Sequence, residues 1–229
     1  MACFANVCNS IMKDSLDARG LTRYTLCMKT ASLTHEENLY AQGFTLIGGI
    51  DEVGRGPLAG PVTACAVILP PGLIIPGVYD SKALSPKRRG ELAETIKKSA
   101  ITYALGWADA ALVDEINILQ ATYTAMSRAL ENLKTQPEAL LIDGLQGKYL
   151  PEIQPCIFIK GGDRTSHSIA AASIVAKVAR DATMQEWHEK YPCYGFDTNK
   201  GYGTAKHMAA IEEHGPCPLH RHSFLKRVP

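Results

Sequence analysis

Apolar positions fall into two periods along this chain. Runs at residues 45–50, 62–69, 101–107, 139–142 and 156–159 are of strand length, and most are bounded by Gly, Pro or Asp. That is the pattern of buried β-strands. Leu119, Tyr123, Met126, Leu130 and Leu133 recur at spacings of four and three, which predicts an amphipathic helix. Ser85-Pro86 predicts a helix running to about residue 99, with Pro at the favoured first position. An Ala-rich stretch predicts a long helix over 166–190, and a last helix is predicted over 206–213. Thr34-His35-Glu36-Glu37 reads as a capping box, with Gly43 ending the short helix that follows. Three strands, then alternating helices and strands, then helices, predict an α/β layout of helices on a mixed sheet.

Residues 32–229 are read as one domain. Residues 1–31 are read as a leader with neither apolar periodicity nor strand alternation, and are expected to be disordered; Met12 and Met28 are alternative starts. The leader lacks the continuous apolar core of a secretory signal, and no apolar run reaches membrane-spanning length. Apolar residues make up 46% of the 229, and the formal net charge is +1. No global positive field announces a nucleic-acid partner, so any attraction for phosphate must come from local patches. Seven Cys without a CxxC point to free, mostly buried thiols and a cytoplasmic location.

Four acids stand out by position. Asp51 and Glu52 lie where a strand meets a Gly-rich turn, and Asp143 ends another strand before Gly144. Open α/β sheets place chemistry at such ends. Asp181 follows Ile174 and Val178 on the apolar face of the long helix, where a carboxylate must be paired or bound to a cation. Each acid alone also reads as a turn residue or helix cap, and Asp181 as a salt bridge to Lys177 or Arg180. As a set, converging hard oxygens suit Mg²⁺ or Mn²⁺ rather than zinc. Gly54-Arg55-Gly56-Pro57-Leu58-Ala59 formally fits a dinucleotide fingerprint, but Pro57, Pro61 and a strand follow it instead of a helix. The two glycines suit close backbone approach to a sugar–phosphate chain.

The run Gly49-Ile50-Asp51-Glu52-Val53-Gly54-Arg55-Gly56-Pro57-Leu58-Ala59-Gly60-Pro61-Val62 closely resembles the signature of the ribonuclease HII family. Asp80-Ser81-Lys82, Ile142-Asp143-Gly144, the stretch from Ser168 to Lys177, Arg180-Asp181, Gly201-Tyr202-Gly203-Thr204 and the segment from His214 to Phe224 continue the match, which spans about residues 34–224. The resemblance implies a ribonuclease H-like fold, with a five-stranded mixed sheet flanked by helices and a C-terminal helical portion. It implies hydrolysis of the RNA strand of RNA–DNA hybrids and nicking at ribonucleotides in duplex DNA, by a monomer. It also favours the Gly-Arg-Gly turn of this family over the Gly-Thr-Gly turn of ribonuclease HIII.

The resemblance makes Asp51, Glu52, Asp143 and Asp181 the catalytic and metal-binding carboxylates, holding one or two Mn²⁺ or Mg²⁺ ions, the second arriving with substrate. Two ions roughly 4 Å apart can activate water and stabilise the departing oxygen. Asp51 and Asp143 are assigned to hold both ions, Glu52 the leaving-group side and Asp181 the water side. By the same resemblance Gly54, Arg55 and Gly56 grip a 2′-hydroxyl, the group that separates RNA from DNA, and Tyr202 stacks on the sugar at the junction. Lys160, Arg164, Lys177, Lys200, Lys206 and Arg221 are candidate phosphate contacts. The spacing of His207, His214, Cys217, His220 and His222 fits no standard zinc pattern, so packing and hydrogen bonding are expected of them. Another two-metal nuclease and a hybrid-binding module without turnover are the rival readings.

Overall fold

Seven strands in two sheets are present in the computed structural model, which describes residues 29–144, 153 and 155–225 and the backbone of 11–16 and 22–26. β1 (Ile11–Leu16) and β2 (Thr22–Leu26) pair antiparallel, apart from the main sheet. Two segments of the leader thus form strands; the rest of residues 1–28 lies outside the described residues. A backbone ladder needs no alternation of side chains. The chain joins the domain just before residue 32: Ala31 donates its N–H to the Val78 carbonyl at 2.9 Å, and Thr30 Oγ1 accepts from Gly77 N–H at 2.9 Å.

The main sheet consists of β3 (Ile47–Val53), β4 (Val62–Ile68), β5 (Thr102–Ala108), β6 (Ala139–Asp143) and β7 (Cys156–Ile159), in the order β5-β4-β3-β6-β7. β3 runs antiparallel to β4 and parallel to β6, so the sheet is mixed. Its position differs from the expected 45–50. Glu138 Oε2 accepts from Thr45 N–H at 2.7 Å and Leu46 N–H at 3.2 Å, replacing the ladder at the front. At the far end β4 keeps pairing through Asp51↔Cys65, Glu52↔Ala64 and Val53↔Thr63 after the β6 register has stopped at Ile50↔Ile142. Both acids therefore lie within the strand and not in the turn beyond it.

α1 (Thr34–Tyr40), α2 (Pro86–Ser99), α3 (Ala110–Glu131) and α4 (His167–Lys190) cover the sheet. Strand alternation sends Ala64 and Ala66 into the core under α3, and Cys65 and Val67 into the core under α2 and α4. α4 lies directly on β3, because a Cβ at Gly49 would stand 2.2 Å from the Ser168 carbonyl carbon. The capping box at Thr34 does not form: Leu33 occupies the cap without a side-chain bond. Glu36 is buried instead, where its Oε1 accepts from the Ser166 hydroxyl at 2.6 Å and from Ser168 N–H at 2.9 Å.

Met126 and Leu130 of the expected stripe are buried, with Tyr123 packed against the same core, but α3 is not one continuous helix. Asn117 (φ 68, ψ 164) breaks it, and the Asn117 side chain accepts from Leu119 N–H and Gln120 N–H, capping the second segment. Leu119 faces solvent, and Leu133 is buried beyond the helix end; Ala121, Ala125 and Ala129 make the close face. After α4, the short α5 (Phe196–Asn199), α6 (Ala205–His214) and α7 (His222–Leu225) form the C-terminal portion. α5 and α6 share a cluster with Ala59, Met184 and Tyr194, whereas Phe224 of α7 packs against the core under α3. No helix among the described residues is long and apolar enough to cross a membrane.

Candidate active site

Parallel pairing of β3 with β6 ends at Ile50↔Ile142, so the next residue on each strand is a carboxylate, Asp51 beside Asp143. These two, with Glu52, line a cleft of about 250 Å³. The fourth acid of the cleft is Asp163, which follows β7 in a single 3₁₀ turn, Gly162–Arg164. That turn is tied to the strand end, because Gly162 N–H donates to Asp143 Oδ1 at 2.6 Å. Val53, Ser81, Lys82, Ser173, Lys177 and Tyr202 complete the walls.

Asp181 does not line this cleft. Its Oδ1 accepts from Lys177 Nζ at 2.6 Å, one turn back on α4, and its Oδ2 from Arg89 Nη1 at 3.4 Å. Three of the four expected acids thus meet in the cleft, and Asp181 is engaged in a salt bridge of the kind weighed above, to Lys177 and also to Arg89. Asp163 was missed because a lone acid in a Gly-rich turn carries no periodicity. Its signal was position, directly after a strand end and before the Ala-rich helix.

Burial pushes the Asp51 carboxyl well above the usual carboxylate range, and the neighbouring charges of Glu52 and Asp143 add to it. Burial raises Glu52 against the pull of Arg55, whose Nη1 stands 3.2 Å from Glu52 Oε1. Asp163 is raised by burial and then by Asp143 and Asp80. Among the described residues no three His, Cys, Asp or Glu side chains already form a group that could hold a metal ion. Each acid leans on a local donor instead: Asp51 Oδ1 on Glu52 N–H at 2.8 Å, Glu52 on Arg55, Asp143 on Gly162. Like-charged oxygens held apart this way are the donor set a hard divalent cation fits, since only positive charge offsets their repulsion.

The two glycines of the turn have different reasons. Gly54 (φ +93) is forced by packing, since a Cβ there would lie 2.2 Å from Arg180 Nε and 2.6 Å from the Pro61 carbonyl oxygen. At Gly56 an added Cβ would meet only the Tyr202 ring, at 3.7 Å. No packing demand explains Gly56, so open space between the turn and the exposed Tyr202 ring is what it preserves. Lys160 and Arg164 are exposed beyond β7, Lys206 is exposed on α6, and Lys200 is half-buried with a left-handed φ of 52. Arg221 is corrected as a phosphate contact: it is fully buried and every bond it makes goes to backbone carbonyls near the glycine turn.

The C-terminal histidines build a hydrogen-bonded chain behind Tyr202. His207 Nδ1 lies 2.9 Å from the Tyr202 carbonyl oxygen and must donate, which leaves His207 Nε2 as an acceptor. His220 Nε2 therefore donates to it across 3.0 Å, and His220 Nδ1 accepts from Cys217 N–H at 2.9 Å. Burial lowers both imidazoles, and the facing His207 helps bring His220 to about 4. A lowered histidine contributes stability that is present above its unfolded value of about 6.5 and is lost as pH falls through its folded value. The Tm advantage of wild type over His220→Gln should shrink between pH 6.5 and 4. A gap that stays constant across that range would remove the neutral pair.

The ribonuclease HII family model matches residues 48–227. The protein named ribonuclease HII from Chlamydia caviae is 54% identical over 190 residues, which is 82% of this chain and 88% of that protein. The crystal structure of ribonuclease H2 from Pyrococcus horikoshii OT3 has a TM-score of 0.64 at 24% identity, covering 78% of this chain and 93% of that one. Bst-RNase HIII in complex with Mn²⁺ has a TM-score of 0.56 at 18% identity, covering 86% of this chain and 72% of that one. Likeness to both solved structures over most of this chain, with its mixed five-stranded sheet, shows a ribonuclease H-like fold. With acids gathered at adjacent strand ends and a relative 54% identical across most of its length, this chain belongs to the ribonuclease HII family and is a ribonuclease H.

Proposed function

We propose that this enzyme hydrolyses the RNA strand of RNA–DNA hybrids and nicks duplex DNA at an embedded ribonucleotide, with Asp51, Glu52, Asp143 and Asp163 as the metal-holding carboxylates. The observation that carries this reading is the clustering of those four acids in one cleft that also holds Tyr202 and opens beside Gly56. Two Mg²⁺ or Mn²⁺ ions bound there would supply the positive charge that offsets a phosphate and would activate water for in-line attack. The complex of Bst-RNase HIII with Mn²⁺ supports that choice of ion. Lys82 and Lys177 add positive charge to the cleft wall. Asp181 holds the Lys177 ammonium, whose pKa burial lowers on balance even though Asp181 pulls it up. The backbone of Gly54, Arg55 and Gly56 approaches the 2′-hydroxyl, and the Tyr202 ring covers the sugar.

The test is a DNA duplex carrying one ribonucleotide, assayed with Mg²⁺ and with Mn²⁺. A nick beside that residue and nowhere else is expected; cleavage spread along the DNA would instead favour a general two-metal nuclease. Tyr202→Ala should lose about five- to 150-fold in kcat/KM on this substrate, the worth of one stacking contact of about 1–3 kcal/mol. Tyr202→Phe should lose far less, because the ring and not the hydroxyl makes the contact. Long hybrids should suffer less than the single-ribonucleotide duplex. Equal losses for the two variants would point to the hydroxyl.

A further inference from the structure

Arg221 has no carboxylate partner among the described residues, yet it is fully buried. Its Nε donates to the Gly60 carbonyl at 3.0 Å, Nη1 to Arg55 at 3.0 Å and Pro57 at 2.9 Å, and Nη2 to Gly54 at 2.6 Å and Gly60 at 2.7 Å. One planar guanidinium thus gathers four carbonyls of a seven-residue turn. A lysine could not, having three donors on a single atom. The nearby carboxylate, Asp114, is occupied with the N–H groups of His222 and Ser223 and the Ser223 hydroxyl. Burial and the neighbouring Arg180 act against the Arg221 charge. Carbonyl dipoles therefore hold it, and the carbonyls are drawn toward it.

A trans peptide places its N–H opposite its C=O. Because Arg221 holds the Gly54 and Arg55 carbonyls, the N–H groups of Arg55 and Gly56 point away from it. Neither is paired within the chain among the described residues. The next N–H along, Leu58, is bonded to the Gly201 carbonyl at 2.8 Å, and the Pro57 and Gly60 carbonyls precede peptides whose N–H is elsewhere engaged or absent. The two free donors sit on the turn whose Gly56 faces the Tyr202 ring.

We propose that Arg221 is the positioning residue for ribonucleotide recognition: by holding the turn's carbonyls on one side it presents the Arg55 and Gly56 N–H groups on the other, as a two-donor nest for the ribose 2′-oxygen. This rests on the reading that the turn and Tyr202 face the ribonucleotide. Arg221 touches no substrate itself and acts through the backbone it orders.

The experiment compares Kd for a duplex with one ribonucleotide and for the same duplex in all-DNA form, in an Asp143→Asn background so that turnover does not interfere. The parent should prefer the ribonucleotide duplex. Adding Arg221→Lys should remove about tenfold of that preference, one hydrogen-bonding interaction's worth, while all-DNA affinity changes by less than about threefold. Adding Arg180→Lys, at the other fully buried arginine, removes a guanidinium whose carbonyls lie outside residues 54–57 and should keep the preference. A folded Arg221→Lys protein that keeps the preference would overturn the proposal. So would failure of both Arg221→Lys and Arg221→Gln to fold, which would make Arg221 a folding residue only. A parent with no preference would instead defeat the underlying reading of the turn.

Discussion

Asp51→Asn is expected to reduce hydrolysis of an RNA–DNA hybrid by about three orders of magnitude or more while raising Tm. Loss of several kcal/mol of metal-borne stabilisation in the transition state amounts to that many decades. The gain in Tm has a separate cause. Asp51 is 6% exposed and shares its cleft with Glu52 and Asp143, and burial and both charges raise its carboxyl. A carboxyl raised in the folded state lowers stability once pH rises through its folded value. Asn keeps an acceptor for Glu52 N–H and carries no charge. In chelator at pH 7 the variant should melt higher, by about 2–4 °C for each kcal/mol relieved. The difference should close as pH falls toward 4. Near-normal turnover would sink the metal assignment, and an unchanged Tm would sink the repulsion.

Asp163→Asn and Asp181→Asn should separate cleanly. Asp163 lines the cleft and is raised by Asp143, so its loss should cost about two orders of magnitude in kcat. It should change Tm little, because its bond to Arg164 is a loose 3.8 Å pair with the arginine exposed. Asp181 has the opposite profile. Removing it leaves Lys177 and Arg89 without their shared counter-charge, at 17% and 10% side-chain exposure. Breaking such a pair should cost about 1–3 kcal/mol of stability, below the value for fully buried pairs. Hydrolysis should fall less than about tenfold, through a less ordered Lys177. Steady-state kinetics and melts on both variants decide it. An inactive Asp181→Asn with unchanged Tm, beside an active Asp163→Asn, would restore the expected set.

The strands and the Ala-rich α4 were legible because burial of a whole segment leaves a periodic mark in the segment itself. β4 and β7 lie within a residue of their expected bounds, and β6 gains only Asp143, for this reason. Where the mark depended on a partner, local reading failed. β3 extends past its apolar run because β4 goes on pairing with it, and the Thr34 box does not form because the helix begins one residue earlier, with Leu33 at the cap and Thr34 already inside it. Of the stripe, Met126, Leu130 and Leu133 are buried and Tyr123 packs against them, whereas Leu119 is exposed, because Asn117 breaks the helix just before it.

The sequence by itself determined the family, the mixed α/β architecture and three of the cleft's acids. Asp51, Glu52 and Asp143 sit at strand ends, where type and position can be read without a partner. Only the tertiary structure decided the fourth acid and the carbonyl clamp. Asp163 reaches the cleft because Asp143 ties down the Gly162 turn, whereas Asp181 meets Lys177 and Arg89. Arg221 finds its carbonyls more than 160 residues back along the chain. Periodicity records which residues are buried; which groups they then meet is set by packing across the chain, through hydrogen bonds that leave no local pattern.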